Sequence, residues 1–86
     1  MTTWKEQIEK AMQNSGESFA DVISCTLSEE ELNVEFNDGF GYAEGKPFTL
    51  WTKDRVYFPT CFNGAEWAAS VPRNPNGIPT PHVGEG

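Results

Sequence analysis

Few side chains in this sequence could do chemistry: two thiols, Cys25 and Cys61, one imidazole, His82, the Ser and Thr hydroxyls, and a set of carboxylates. A thiol attacks only as thiolate, which requires a base or positive surroundings. Cys25 lies in a stretch, Ala11 to Gly45, that carries eight carboxylates and no Lys or Arg. His82, the single histidine, belongs to a tail rich in Pro and Gly, so little in the sequence would hold a Cys61/His82 dyad together. Both thiols read as small sheet or core residues, and as unbridged, because a secreted domain of this size usually carries a denser disulfide framework. Glu29, Glu30 and Glu31 form a solvated run with no apolar pocket to set one carboxyl apart from the others as an acid. Glu35 to Gly39 lacks the alternating oxygen ligands and closing Glu of a calcium loop. One His and two distant Cys do not make a zinc set, and Gly39-Phe40-Gly41 matches neither nucleotide fingerprint. The expectation is therefore a chain with no catalytic residue, no metal and no cofactor.

The elements that would position these residues follow from periodicity. Thr3-Trp4-Lys5-Glu6 has the form of a capping box. After it, Trp4, Ile8, Ala11 and Met12 make one apolar stripe, with Lys5, Glu6, Glu9, Lys10 and Gln13 on the other side. Asn14-Ser15-Gly16 is a helix stop. Val22 to Leu27 predicts a strand with Ile23, Cys25 and Leu27 on one face, a helical reading through Phe19, Val22 and Ile23 being the alternative. Ser28 to Glu31 is a polar connection or a helical turn. Leu32, Val34 and Phe36 alternate as a strand, and a hairpin at Asn37-Asp38-Gly39 sets Phe36 opposite Phe40 and Val34 opposite Tyr42.

Phe48 to Thr52 and Arg55 to Phe62 predict two more strands. Asn63-Gly64 is the preferred pair for a type I′ turn, and it pairs Phe62 with Ala65, Thr60 with Trp67, Phe58 with Ala69 and Val56 with Val71. That face is almost wholly apolar and is expected to lie beneath the opening helix, with Tyr57, Pro59, Cys61, Glu66, Ala68 and Ser70 opposite. Pro59 implies an edge, a bulge or an unpaired position. Together these elements predict an α+β domain over residues 1–74, one N-terminal helix packed on an antiparallel sheet of four to five strands. Residues 75–86 would be an extended or disordered tail; Pro72-Arg73-Asn74-Pro75, formally P-x-x-P, reads as a strand terminator.

Composition sets the outer limits. Eighty-six residues with 37% apolar and 13% aromatic content suffice for one core. Its apolar runs are too short to cross a bilayer, and no secretory signal opens the chain, so a cytoplasmic location is expected. Thirteen acidic against six basic residues give a net charge of -7, which disfavours direct nucleic-acid binding and favours a protein with a basic surface.

At Phe48-Thr49-Leu50-Trp51-Thr52, Arg55-Val56-Tyr57-Phe58-Pro59, Glu66-Trp67 and Pro72-Arg73-Asn74-Pro75 the chain resembles small proteins of bacteria and their phages that have no assigned activity. The resemblance implies a setting and no site. The expected function is a non-enzymatic adaptor or inhibitor, in its sharpest form a nucleic-acid mimic. Its partner surface would combine Glu29, Glu30, Glu31, Glu35 and Asp38 with the rings of Tyr42, Trp51 and Tyr57. The competing readings are a small-molecule binder or minor thiol enzyme using Cys61, Tyr57 and Trp51, and a homodimer through an open strand edge.

Overall fold

The computed structural model describes residues 1–39 and 41–84. Helix α1 spans Trp4–Ser15. The Thr3 hydroxyl accepts from the Glu6 N–H at 3.1 Å and donates to the Glu6 carboxylate at 3.4 Å, satisfying one of the unpaired amides of the first turn. Gly16 ends it in the left-handed region, φ 76°, with its N–H on the Met12 carbonyl. Trp4, Ile8 and Met12 are buried as the stripe predicts, Ala11 packs beside them, and Gln7 joins them, its amide donating to the Thr2 hydroxyl at 3.1 Å.

A 3-10 turn at Phe19–Asp21, capped by Ser18, leads into β1, Val22–Cys25. The strand is there, two residues shorter than expected; of the face expected for it, Cys25 packs on the core and Leu27, just past its end, is buried, while Ile23 is not. A bulge falls between Val22 and Ser24 where β1 pairs with β2; the extra residue shifts the alternation. Val22 and Cys25 therefore pack on the core and Ile23 is left 63% exposed.

The strand expected over Leu32 to Phe36 is absent. Ser28 caps a one-turn helix, α2 (Glu29–Leu32), through a reciprocal box: its hydroxyl accepts from the Glu31 N–H at 3.1 Å, and its own N–H donates to the Glu31 carboxylate at 2.9 Å. Leu32 and Phe36 are both buried while Val34 between them is 61% exposed. The backbone of Phe36 is taken by Thr2, N to O and O to N, both at 2.9 Å. That single bridge replaces the predicted hairpin. Val34 and Tyr42 lie in no strand, and the expected partner Phe40 lies outside the described residues.

Strands β2 (Leu50–Thr52), β3 (Arg55–Phe62) and β4 (Ala65–Pro72) complete a four-stranded antiparallel sheet in the order β1-β2-β3-β4. β2 starts two residues later than expected. Asn63 and Gly64 both have positive φ, 52° and 82°, as a type I′ turn demands, and all four predicted β3–β4 pairs are present. A Cβ on Gly64 would collide with the Gly41 backbone. Pro59 falls beyond the point where β2 ends opposite Tyr57, so on that side it borders no strand. Cys25 and Cys61 are free thiols on β1 and β3, with β2 between them.

The sheet face that α1 covers is the opposite of the one expected. α1 lies principally against β4. The core beneath it is Trp4, Ile8, Met12, Leu27, Leu32, Phe36, Phe48, Leu50, Tyr57 and Ala68. Trp67 and the apolar residues paired around it point away from the helix. Shape explains the reversal: Ala68 and Ser70 are small and let a helix carrying Trp4, Ile8 and Met12 approach, whereas Trp51, Phe58 and Trp67 would hold it off. Trp4 fills the resulting space, its ring 4.8 Å from Phe36 and 4.9 Å from Phe48, its Nε1–H on the Lys46 carbonyl at 2.9 Å.

Candidate interaction surfaces

Two surfaces emerge from this arrangement, one apolar and one acidic. The apolar one is the outer sheet face. Strand pairing puts Trp51 beside Val56, Val56 beside Val71, Phe58 beside Ala69, Thr60 beside Trp67 and Phe62 beside Ala65, and paired residues share a face. None of these side chains carries a charge. Among the described residues none of them enters the buried core; most are half-buried, and Phe62 is 42% exposed.

The acidic surface lies on the helix side. Leu32 anchors α2 in the core with Trp4, so the carboxylates of α2 project from that layer. Glu29, Glu30 and Glu35 are exposed. Glu31 is drawn to the Lys46 ammonium at 2.5 Å. That hydrogen bond, then the Ser28 N–H, holds its carboxyl down at about 2. Asp38 is half-buried: its carboxylate meets the Gln7 amide at 3.5 Å and its carbonyl accepts from the Glu66 N–H at 3.0 Å. Tyr42 is 61% exposed and Trp51 half-buried on the outer face.

Tyr57 does not belong with them. It is fully buried beneath α1, and a partner cannot reach it. Its hydroxyl donates to Glu17 at 2.6 Å and lies 2.5 Å from the Ser15 Oγ. Burial first, then the Glu17 carboxylate, pushes the phenol up to about 12. Thr52 also donates to Glu17, at 2.8 Å, and accepts from the Arg55 N–H at 2.9 Å. Arg55 extends the network by donating to the Ser70 hydroxyl at 2.7 Å, and Arg73 donates to the Thr52 carbonyl at 2.8 Å. These hydrogen bonds tie the end of α1 and the start of the tail to the sheet.

Glu66 is the functional-looking residue that the sequence did not single out. It is buried, and its carboxylate accepts from the amides of Glu44 at 2.7 Å and Gly45 at 3.0 Å. A carboxylate answered by two N–H groups is a loop anchor. Gly45 in turn lies so close to the Trp4 ring that a Cβ would meet Cζ2 at 2.6 Å. The sequence reading put Glu66 on the face turned away from the helix, so its burial followed only from the reversal of the covered face.

Cys61 is exposed near the end of β3, opposite Glu66. His82, with Val83 and Gly84, lines an open groove of about 430 Å³ with Ala11, Asn14 and Ser15 of α1 and Ala68 to Ser70 of β4. Among the described residues no group of three or more His, Cys, Asp or Glu is placed to hold a metal ion, and no helix is long and apolar enough to cross a membrane. Comparison with protein-family models, with curated proteins and with solved structures finds no match to this chain.

Proposed function

We propose that this chain is a non-enzymatic interaction protein, an adaptor or inhibitor encoded by a bacterium or its phage and working in the cytoplasm, that binds another protein through surface complementarity. The observation that carries the reading is the uncovered outer sheet face. Trp51 and Phe58 sit outside the core that α1 covers and Trp67 borders α1 only at the groove it shares with Ala11, Asn14 and Ser15, and apolar rings kept at a surface are characteristic of contact sites. The acidic layer adds selectivity. Glu29, Glu30 and Glu35 on a chain of charge -7 favour a basic protein and repel nucleic acid.

The test is capture of partners from a lysate of the source organism with the tagged full chain, followed by elution over rising salt. A partner held by the acidic layer is released as ionic strength rises, and is not captured by the Glu29→Lys/Glu30→Lys/Glu35→Lys variant. A partner retained by that variant with undiminished salt resistance would remove the basic-partner reading.

A further inference from the structure

The outer sheet face and the acidic layer lie on opposite sides of the molecule, and that separation bears on what covers the sheet. We infer that the outer face is the interface of a symmetric homodimer, in which two copies pack sheet against sheet and turn their acidic layers outward. The inference deepens the proposed function and rests on its reading of this face as a contact surface.

Charge selects a second copy as the occupant. The face carries Trp51, Val56, Phe58, Phe62, Trp67 and Val71 and no ionisable group, so it makes no charge pair with a basic partner, whose selection falls to the acidic layer. A face that is apolar throughout complements itself across a twofold axis. A chain of charge -7 resists self-association unless the two charge sets stay apart. Sheets pack about 10 Å from each other and each helix layer adds about 10 Å, so the α2 carboxylates of two copies would lie roughly 30 Å apart. The screening length at physiological salt is only about 8 Å.

The alternative of pairing through a strand edge is blocked at both ends of the sheet. On the outer side of β4, the Glu66 N–H is taken by Asp38 and Gly39 bridges to Ala65, and the 82–84 segment lies along Ala68 to Ser70. At the other edge, β1 has four residues and a bulge. Short and bulged edges resist strand addition.

Size sets the expected strength. β3 and β4 have eight residues each. With β2 alongside, ~3.3 Å per residue and ~4.8 Å per strand give a face of roughly 400 Å². A pair then buries on the order of 800 Å², below the roughly 1,200 Å² at which stable interfaces begin, so the dimer is a weak, transient one. A dimer also displays Glu29, Glu30 and Glu35 twice, which strengthens binding to a partner with two basic sites.

Sedimentation equilibrium of the full chain from 5 to 500 μM tests this. The expected result is a monomer–dimer equilibrium that barely changes between 50 and 500 mM salt, is abolished by Phe58→Lys, and is kept by Val34→Lys, which lies on the helix side beside Trp4 and Phe36. Dilution of the wild-type protein gives an independent reading without any variant: Trp51 and Trp67 fluorescence shifts to the red over the same concentrations. A monomeric mass at 500 μM, or a dimer that survives Phe58→Lys in a folded variant, would overturn the inference. Either result leaves the salt-dependent capture of a basic partner as a separate question, so the two ideas fail separately.

Discussion

The sheet face beneath α1 and the face turned away from it are built on the same strands and furnished in opposite ways. The covered face has Leu50, Thr52, Tyr57, Glu66, Ala68 and Ser70, a mixture of small, polar and apolar side chains. The outer face has Trp51, Val56, Phe58, Trp67 and Val71. By apolar content alone the outer face is the better core. The helix nonetheless sits where small residues give it room and where Tyr57 and Glu66 find partners in Glu17 and the 44–45 amides. Burial follows fit and hydrogen-bond satisfaction as well as hydrophobicity.

The comparison is broken most directly by truncating one residue on each face. Leu50 is fully buried, so Leu50→Ala should cost about 2–5 kcal/mol. Phe58→Ala, measured at a concentration where the chain is monomeric, should cost about 1 kcal/mol. Urea unfolding of the two variants checks this, and equal losses would mean that both faces are core. A somewhat smaller loss follows from Glu66→Ala, which leaves the amides of Glu44 and Gly45 without their shared acceptor. About 2–3 kcal/mol is expected, with faster amide exchange in residues 43–45 as the local signature. Unchanged exchange there would show that the carboxylate is not what holds the loop.

How much of this was legible in the residues depends on the length of the signal. The cap at Thr3, the stripe through Trp4, Ile8 and Met12, the stop at Gly16 and the whole β3–β4 register could be read from spacing, because each is a local pattern with a local cause. The region from Ser28 to Tyr42 could not. Leu32, Val34 and Phe36 alternate as a strand would, but Ser28 and Glu31 close a capping box first and Thr2, thirty-four positions earlier, takes the Phe36 backbone. The choice of covered face was illegible for a related reason. The period-2 pattern divides a strand into two faces but does not say which one a distant helix will meet, and the deciding contacts, such as Tyr57 with Glu17, span forty residues. Of the expected contact residues, Trp51 is placed on the open face, Glu29, Glu30 and Glu35 on the acidic layer, and Tyr57 is removed from the surface altogether.

Tyr57→Phe sharpens the comparison from the covered side. It deletes one hydroxyl while keeping the ring, so about 1–2 kcal/mol is expected from the lost bonds to Glu17 and Ser15. The pH dependence carries a specific sign. A phenol raised from 10.0 to about 12 in the folded chain stabilises the fold fully below pH 10, and that contribution is lost as pH rises toward 12. The difference in stability between wild type and Tyr57→Phe should therefore narrow over that window; a constant difference would mean the hydroxyl is not the group that titrates.

The acidic layer supplies the smallest effect and marks the boundary of the comparison, since its charges contribute to neither face. Lys46 and Glu31 are both solvent-accessible, and water and salt screen such a pair. Lys46→Met keeps the backbone carbonyl that receives the Trp4 Nε1–H while removing the ammonium. At neutral pH its melting temperature should match wild type within the scatter of the measurement. The lowered Glu31 carboxyl, about 2 against an ordinary 4.5, means that whatever the pair contributes is present above pH 4.5 and lost as pH falls toward 2. Part of that lowering comes from the Ser28 N–H, so the variant should retain some of it, visible as a Glu31 titration midpoint still below 4.5 in side-chain NMR. A midpoint restored to 4.5 would assign the whole shift to Lys46 and leave the Ser28 cap without a charged partner's support.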